Sequence, residues 1–277
     1  MHETKKPIAL AELLCYKGSI MIADIEVTKD NFLGGELIIR QPKIGYRAGI
    51  DAVLLGTAGA AIKANNVVEL GCGVGTAMLI CANQRKKHGT LTKALGLEID
   101  ANAAVLCSQN IADNGFADFV SVQNIDGMKP NSAIENRFDL AISNPPFFDD
   151  DTAIRGPKFE RQAAYIIGAP LLDWLKAMLR LVKSNGEILL IHRADRLFDI
   201  LQALKNRAGD IKILPIHAVE GRPANRIIIR AKKGSKAPTQ ILTGINLRAH
   251  QNDSKYLPEI DGICKGSATS IFDELPT

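Results

Sequence analysis

Along this chain the apolar positions switch repeatedly between a period of two and a period near three and a half. That switching makes the first case for a fold. Ile25-Glu26-Val27-Thr28 alternates like a strand, Asn31-Phe32-Leu33-Gly34-Gly35 is a turn signal, and Glu36-Leu37-Ile38-Ile39-Arg40 alternates again. The three together predict a hairpin. A loop over 41–47 follows, then helical composition over 48–61 with Asp51 in its first turns. From there strand and helix alternate. Strands are expected at 66–70, 94–99, 119–123 and 138–142, with helices at 76–84 and 101–114 between the first three. A polar connection over 147–168 leads to a helix at 171–182, a strand at 186–191 and a helix at 195–205. Two late apolar runs, 211–216 and 226–230, have no helix between them and are expected to pair antiparallel. A further strand is expected at 240–242, with weak signals after Leu247.

Such alternation argues for a mostly parallel sheet with helices on both faces. In sheets of that kind ligands bind beyond the carboxyl ends of the strands. Composition adds limits. No apolar run approaches the ~20 residues of a membrane span, and a hydrophobic content of 46% is ordinary for a soluble globular protein. The five cysteines are odd in number and lack C-x-x-C spacing, which predicts free thiols in a reducing cytoplasm and no zinc site. The net charge of +4 is compatible with a polyanionic partner without requiring one.

Two stretches carry candidate chemistry. The first is Glu69-Leu70-Gly71-Cys72-Gly73-Val74-Gly75, a strand end running into a helix. Glycines there let the backbone turn sharply and lie flat against a ligand. The spacing is G-x-G-x-G and not the G-x-G-x-x-G of dinucleotide sites. Glu98, at the end of the next strand, can accept both hydroxyls of an adenosine ribose. This pattern resembles the donor site of S-adenosylmethionine-dependent methyltransferases of the Rossmann-like class. The resemblance implies a seven-stranded, mostly parallel sheet of the class I kind with a late antiparallel strand, behind the N-terminal hairpin. It implies S-adenosyl-L-methionine as the donor, with Glu69 opening the motif, Gly71, Gly73 and Gly75 lining methionine and ribose, and Glu98 on the ribose. Asp126 matches the position that holds the donor's adenine, and reads equally as a turn or helix-capping aspartate.

The second stretch is Asn144-Pro145-Pro146-Phe147. Two adjacent prolines have no N–H for a ladder, so the strand must stop at Asn144. An exocyclic amino nitrogen is a poor nucleophile because its lone pair is delocalised into the ring. Accepting both of its hydrogens at the Asn144 side-chain oxygen and the Pro145 carbonyl frees that lone pair. The catalysis is electrostatic preorganisation, with Pro146 stiffening the kink and Phe147 able to stack on the base. The four residues resemble motif IV of amino-methyltransferases, which act on adenine N6, guanine N2 and glutamine amides.

The block Gly45-Tyr46-Arg47-Ala48-Gly49-Ile50-Asp51-Ala52-Val53-Leu54-Leu55 narrows the group. Together with Asn31–Gly35 and Gln41–Lys43 it looks like the N-terminal region of bacterial tRNA(Val) adenine-N6 methyltransferases, and the resemblance spans residues 25 to 250. It implies N6-methylation of an adenine in tRNA, next to the anticodon, with no metal. It also implies that the block caps the donor pocket, with Tyr46 and Asp51 as donor contacts. Asp51 reads equally as a helix-start carboxylate. The domain then covers 25–250, with a leader over 1–24 and a tail over 251–277 packed on or near it. Phe147 stands where many adenine enzymes carry Tyr.

Arg155, Lys158 and Arg161 are candidate phosphate contacts beyond the kink. Arg222, Arg226, Arg230, Lys232, Lys233 and Lys236 form a late basic cluster that reads either as an RNA track or as a solvated face. Asp149-Asp150-Asp151 reads as solvated, Cys72 as a small filler of the turn, and Trp174 as core. Two rival activities stay open: guanine-N2 or protein-glutamine methylation, and RNA binding without catalysis.

Overall fold

A computed structural model describes residues 26–90, 92–146 and 171–267 of the chain. Its strands form a two-stranded hairpin and one large sheet. Strands β3 (Asn66–Leu70), β4 (Lys93–Glu98), β5 (Val120–Asn124), β6 (Phe138–Ser143) and β7 (Val182–Arg193) lie parallel in the order β5-β4-β3-β6-β7. The late strands β8 (Ala208–His217) and β9 (Arg226–Lys233) complete seven long strands. β9 lies antiparallel between β7 and β8. Two short strands, β10 (Gln240–Ile241) and β11 (Ile245–Asn246), run parallel to β8 along its outer edge. The sheet therefore has nine strands where the resemblance implied seven. The addition has a simple reason: the chain after β9 lies along an edge whose backbone groups would otherwise be unpaired.

Successive residues of a strand face opposite sides of the sheet, and here the two sides bury separate cores. Val67, Leu140, Ile142, Leu189 and Ile191 face the core built with helices α1 (Ile50–Ala61), α2 (Thr76–Lys87) and α3 (Ala101–Asp113). Val68, Ala141, Ile188 and Leu190 face the core built with α4 (Leu171–Leu181) and α5 (Leu197–Leu204). Both cores explain why these strands read as nearly continuous apolar runs. Helix α1 packs close on α2: a Cβ at Gly56 would lie 2.6 Å from the Ala77 carbonyl oxygen.

Several strand boundaries differ from the sequence reading, most clearly at the hairpin and at β7. The hairpin pairs β1 (Val27–Phe32) with β2 (Leu37–Pro42), so Phe32 belongs to the strand and the turn begins at Leu33. Strand β7 begins four residues early at Val182. Its register against β6 shifts between Phe138 and Leu140, and the intervening residues bulge out with Asn185 at φ +62°. Helix α6 (Pro258–Cys264) packs Ile260 and Ile263 into the first core. It sits beside the hairpin turn, where the Lys265 carbonyl lies 3.3 Å from a Cβ placed on Gly34. Lys87 ties the same corner together, bonding Glu36 at 2.5 Å and the Gly266 carbonyl at 3.1 Å.

Candidate active site

Strand β3 pairs with β4 on one side and β6 on the other. The chain after β3 moves out toward β4 and β5, then returns to β6. Between β3 and β6 the connections leave in opposite directions, and a cleft must open at the carboxyl ends of the strands. Both candidate stretches end there.

The glycine loop leaves β3 through left-handed backbone at Gly71, Gly73 and Gly75, with φ of +68°, +54° and +86°. Gly71 N–H and Cys72 N–H both donate to the Leu97 carbonyl, at 2.9 and 3.2 Å. Two of the three glycines are enforced by packing. A Cβ on Gly71 would lie 3.0 Å from the Trp174 ring, and one on Gly75 only 2.6 Å from Cys107 Sγ. A Cβ on Gly73 would meet nothing within 4 Å, so this position faces open space. The loop is thus clamped from behind and open at its middle. Cys72 is buried beside Cys107; their mutual hydrogen bond and burial push its thiol well above its ordinary pKa, which suits a filler and not a nucleophile.

The carboxylates around the loop do different jobs. Glu98 Oε2 accepts from Gly73 N–H at 2.7 Å, and Oε1 accepts from Asp100 N–H at 2.8 Å. Each oxygen keeps a further lone pair, enough for two ribose hydroxyls. Burial raises its pKa despite those bonds. Glu69 points inward. It is 3% exposed, and Oε2 accepts from Met78 N–H in the first turn of α2 at 2.9 Å. Burial pushes its pKa up to about 8, with nearby Glu98 adding to the effect. Glu69 therefore holds loop and helix together from beneath. Asp126 accepts from Met128 N–H at 3.0 Å and pairs with Lys129 at 3.3 Å, so it caps its own turn at the rim. The open middle glycine, the ribose-ready Glu98 and a rim aspartate at the exit of β5 fit S-adenosylmethionine.

Across the cleft, β6 ends at Ser143 and Asn144 follows. Ser143 Oγ donates to the Leu70 carbonyl at 2.7 Å, and Trp174 Nε1 donates to Ser143 Oγ at 3.0 Å. Trp174 is 3% exposed and in the core, and it touches both halves: its ring backs Gly71 and its N–H holds Ser143. That second role was missed in the sequence. Asn144 Nδ2 donates to Tyr46 Oη at 2.9 Å, so the capping block reaches the acceptor stretch directly. The crowding of protein around that hydroxyl and the nearby Asp51 and Glu69 carboxylates push Tyr46 up to about 12, although 70% of the residue is exposed. Asp51, in the first turn of α1, pairs with Arg226 at 3.2 Å. Pro145 and Pro146 follow Asn144. Phe147, Arg155, Lys158 and Arg161 lie outside the described residues, as does Asp149-Asp150-Asp151.

Three residues of the late basic cluster have internal partners. Arg226 bonds Asp51, Arg230 donates from Nε and Nη2 to the two Glu187 carboxylate oxygens, and Lys233 bonds the Val182 carbonyl at 2.8 Å. The ion pair of Asp51 with Arg226 spans 175 residues and has no local signature in the sequence.

Residues 50–164 match the family model described as "Methyltransferase small domain". The chain is 25% identical over 244 residues to a protein of Trichodesmium erythraeum (strain IMS101) named tRNA1(Val) (adenine(37)-N6)-methyltransferase, covering 83% of this chain and 94% of that one. A protein of the same name from Histophilus somni (strain 129Pt) is 28% identical over 163 residues, 59% of this chain and 67% of the relative. Among solved structures, one titled as a predicted O-methyltransferase from Agrobacterium tumefaciens superposes with a TM-score of 0.62. It is 22% identical, covers 79% of this chain and 97% of that one, and bears on the fold alone. Among the described residues no helix is long and apolar enough to cross a membrane.

Proposed function

We propose that this S-adenosylmethionine-dependent methyltransferase methylates N6 of an adenine in tRNA. The proposed target adenine lies next to the anticodon, and the compartment is the cytoplasm, where tRNA is found. One observation carries the reading. An Asn-Pro-Pro kink leaves β6 directly across the switch point from the glycine loop, and the Ser143 Oγ bond to the Leu70 carbonyl locks the two strand ends together at 2.7 Å. The named relatives act on tRNA adenine, which favours that acceptor among planar nitrogens.

When bound, the donor supplies an electrophilic methyl group on sulfur. The work of this chain is to hold and orient. Gly71, Gly73 and Gly75 cradle the donor, Glu98 accepts its ribose hydroxyls, and Asp126 takes the adenine end. Asn144 Oδ1 and the Pro145 carbonyl accept the two hydrogens of the acceptor amino group, which localises the nitrogen lone pair toward the methyl. Transfer is an in-line displacement: the nitrogen–methyl bond forms as the sulfur–methyl bond breaks, the surplus amino proton then leaves to solvent, and orientation supplies much of the acceleration. Phe147 stacks on a base extruded from the RNA. Arg155, Lys158 and Arg161 follow its phosphates.

The test is nucleoside mass spectrometry after the chain is incubated with donor and, separately, bulk tRNA or rRNA. N6-methyladenosine in the tRNA sample is the expected product. N2-methylguanosine in its place, or product from rRNA alone, overturns the reading.

A further inference from the structure

Tyr46 stands in a loop whose position is fixed on every side. Lys43 N–H donates to the Glu26 carbonyl at 2.8 Å, and Arg47 reaches Thr28 Oγ1, the Pro42 carbonyl and Asp30 at 2.8, 2.9 and 2.6 Å. Buried Gln41 accepts from Ala48 N–H at 2.7 Å and donates to Asp30 at 2.8 Å. From this strap Tyr46 projects with 70% of the residue exposed, so burial gives little reason for an aromatic there. Its hydroxyl is 2.9 Å from Asn144 Nδ2, a contact 98 residues long in sequence.

A primary amide at a strand end has two faces of similar shape and opposite character. The oxygen accepts; the nitrogen only donates. An amide turned the wrong way would present N–H groups to the N–H groups of an acceptor amine. We propose that Tyr46 is a positioning residue for methyl transfer. Its hydroxyl oxygen takes the Asn144 Nδ2 hydrogen and so leaves Oδ1 as the end that faces the acceptor nitrogen. This rests on the reading of Asn144 given above. The role differs from the donor contact that the family resemblance implied for Tyr46.

The substitution Tyr46→Phe removes one oxygen from an exposed ring and leaves the strap intact. Single-turnover methyl transfer should slow by about 10- to 100-fold, with the donor dissociation constant and the KM for RNA unchanged. The Asn144 side-chain amide signals in the free protein should shift and exchange faster with solvent. Transfer at the wild-type rate overturns the proposal. So does a loss of donor affinity that accounts for the whole effect, since Tyr46 would then be a donor contact. If the wild-type chain makes no N6-methyladenosine, the proposed function fails, and the NMR comparison still decides the positioning role: identical Asn144 amide signals in wild type and Tyr46→Phe contradict it.

Discussion

The two halves of the cleft are built from different materials. On the donor side the supports of the glycine loop are buried or backbone. Glycines at +68°, +54° and +86° set the loop, Leu97 and Glu98 hold its N–H groups, and Glu69 anchors the helix that follows. On the acceptor side Asn144 is half-buried at a strand end, and its bonded partner Tyr46 comes from a loop elsewhere in the chain. The difference teaches where each half is vulnerable. Damage to the donor side should appear first in folding stability, because its groups are part of the core. Damage to the acceptor side should appear in rate, because its groups orient a reactant and carry little of the fold.

Glu69 gives the largest stability effect on the donor side. Its carboxyl stays protonated to about pH 8 in the folded chain and ionises near its ordinary value of 4.5 when unfolded. Between those values the folded state keeps a proton that the unfolded state has lost. The contribution is therefore full below about pH 4.5 and is lost as pH rises through 8. Glu69→Gln stays neutral and keeps an acceptor for Met78 N–H. Urea unfolding at pH 5 and pH 8 should show the variant gaining on the order of 3 kcal/mol over wild type across that interval. Parallel pH curves for the two proteins would mean that the donor side is not held by a buried neutral acid.

Trp174 is the joint between the halves, and a smaller effect is expected there. Trp174→Phe loses the bond to Ser143 Oγ and the ring atoms behind Gly71. It should cost about 1–2 kcal/mol in denaturant unfolding and also slow transfer. A stability loss with no change in rate would separate the halves more sharply than the structure does.

The same contrast explains what could be read in the sequence. The donor loop is local chemistry: a strand, glycines at positions that need positive φ, and an acidic residue at the next strand's end. Periodicity located the strands, the parallel sheet and the hairpin, glycine spacing marked the loop, and the resemblance to methyltransferases supplied its proposed role. The kink at Pro145 and Pro146 was legible for the same reason. The contacts that join the site were not. Trp174 with Ser143, Asp51 with Arg226 and Tyr46 with Asn144 are 31, 175 and 98 residues apart, and tertiary packing alone brings them together. Arg226 and Arg230 read either as phosphate ligands or as part of a solvated face because charge is visible in a sequence and its ion-pair partner is not. The β7 bulge was missed because Lys183-Ser184-Asn185 reads as a polar loop, and only pairing with β6 makes it part of a strand.

The most direct test of the division of labour is Asn144→Ala, measured twice on the same preparation. Donor affinity by calorimetry should stay within about twofold of wild type, while single-turnover transfer falls by about 10²- to 10³-fold or more. Transfer at the wild-type rate, or a donor affinity that falls in step with it, would contradict the assignment of Asn144 to the acceptor side.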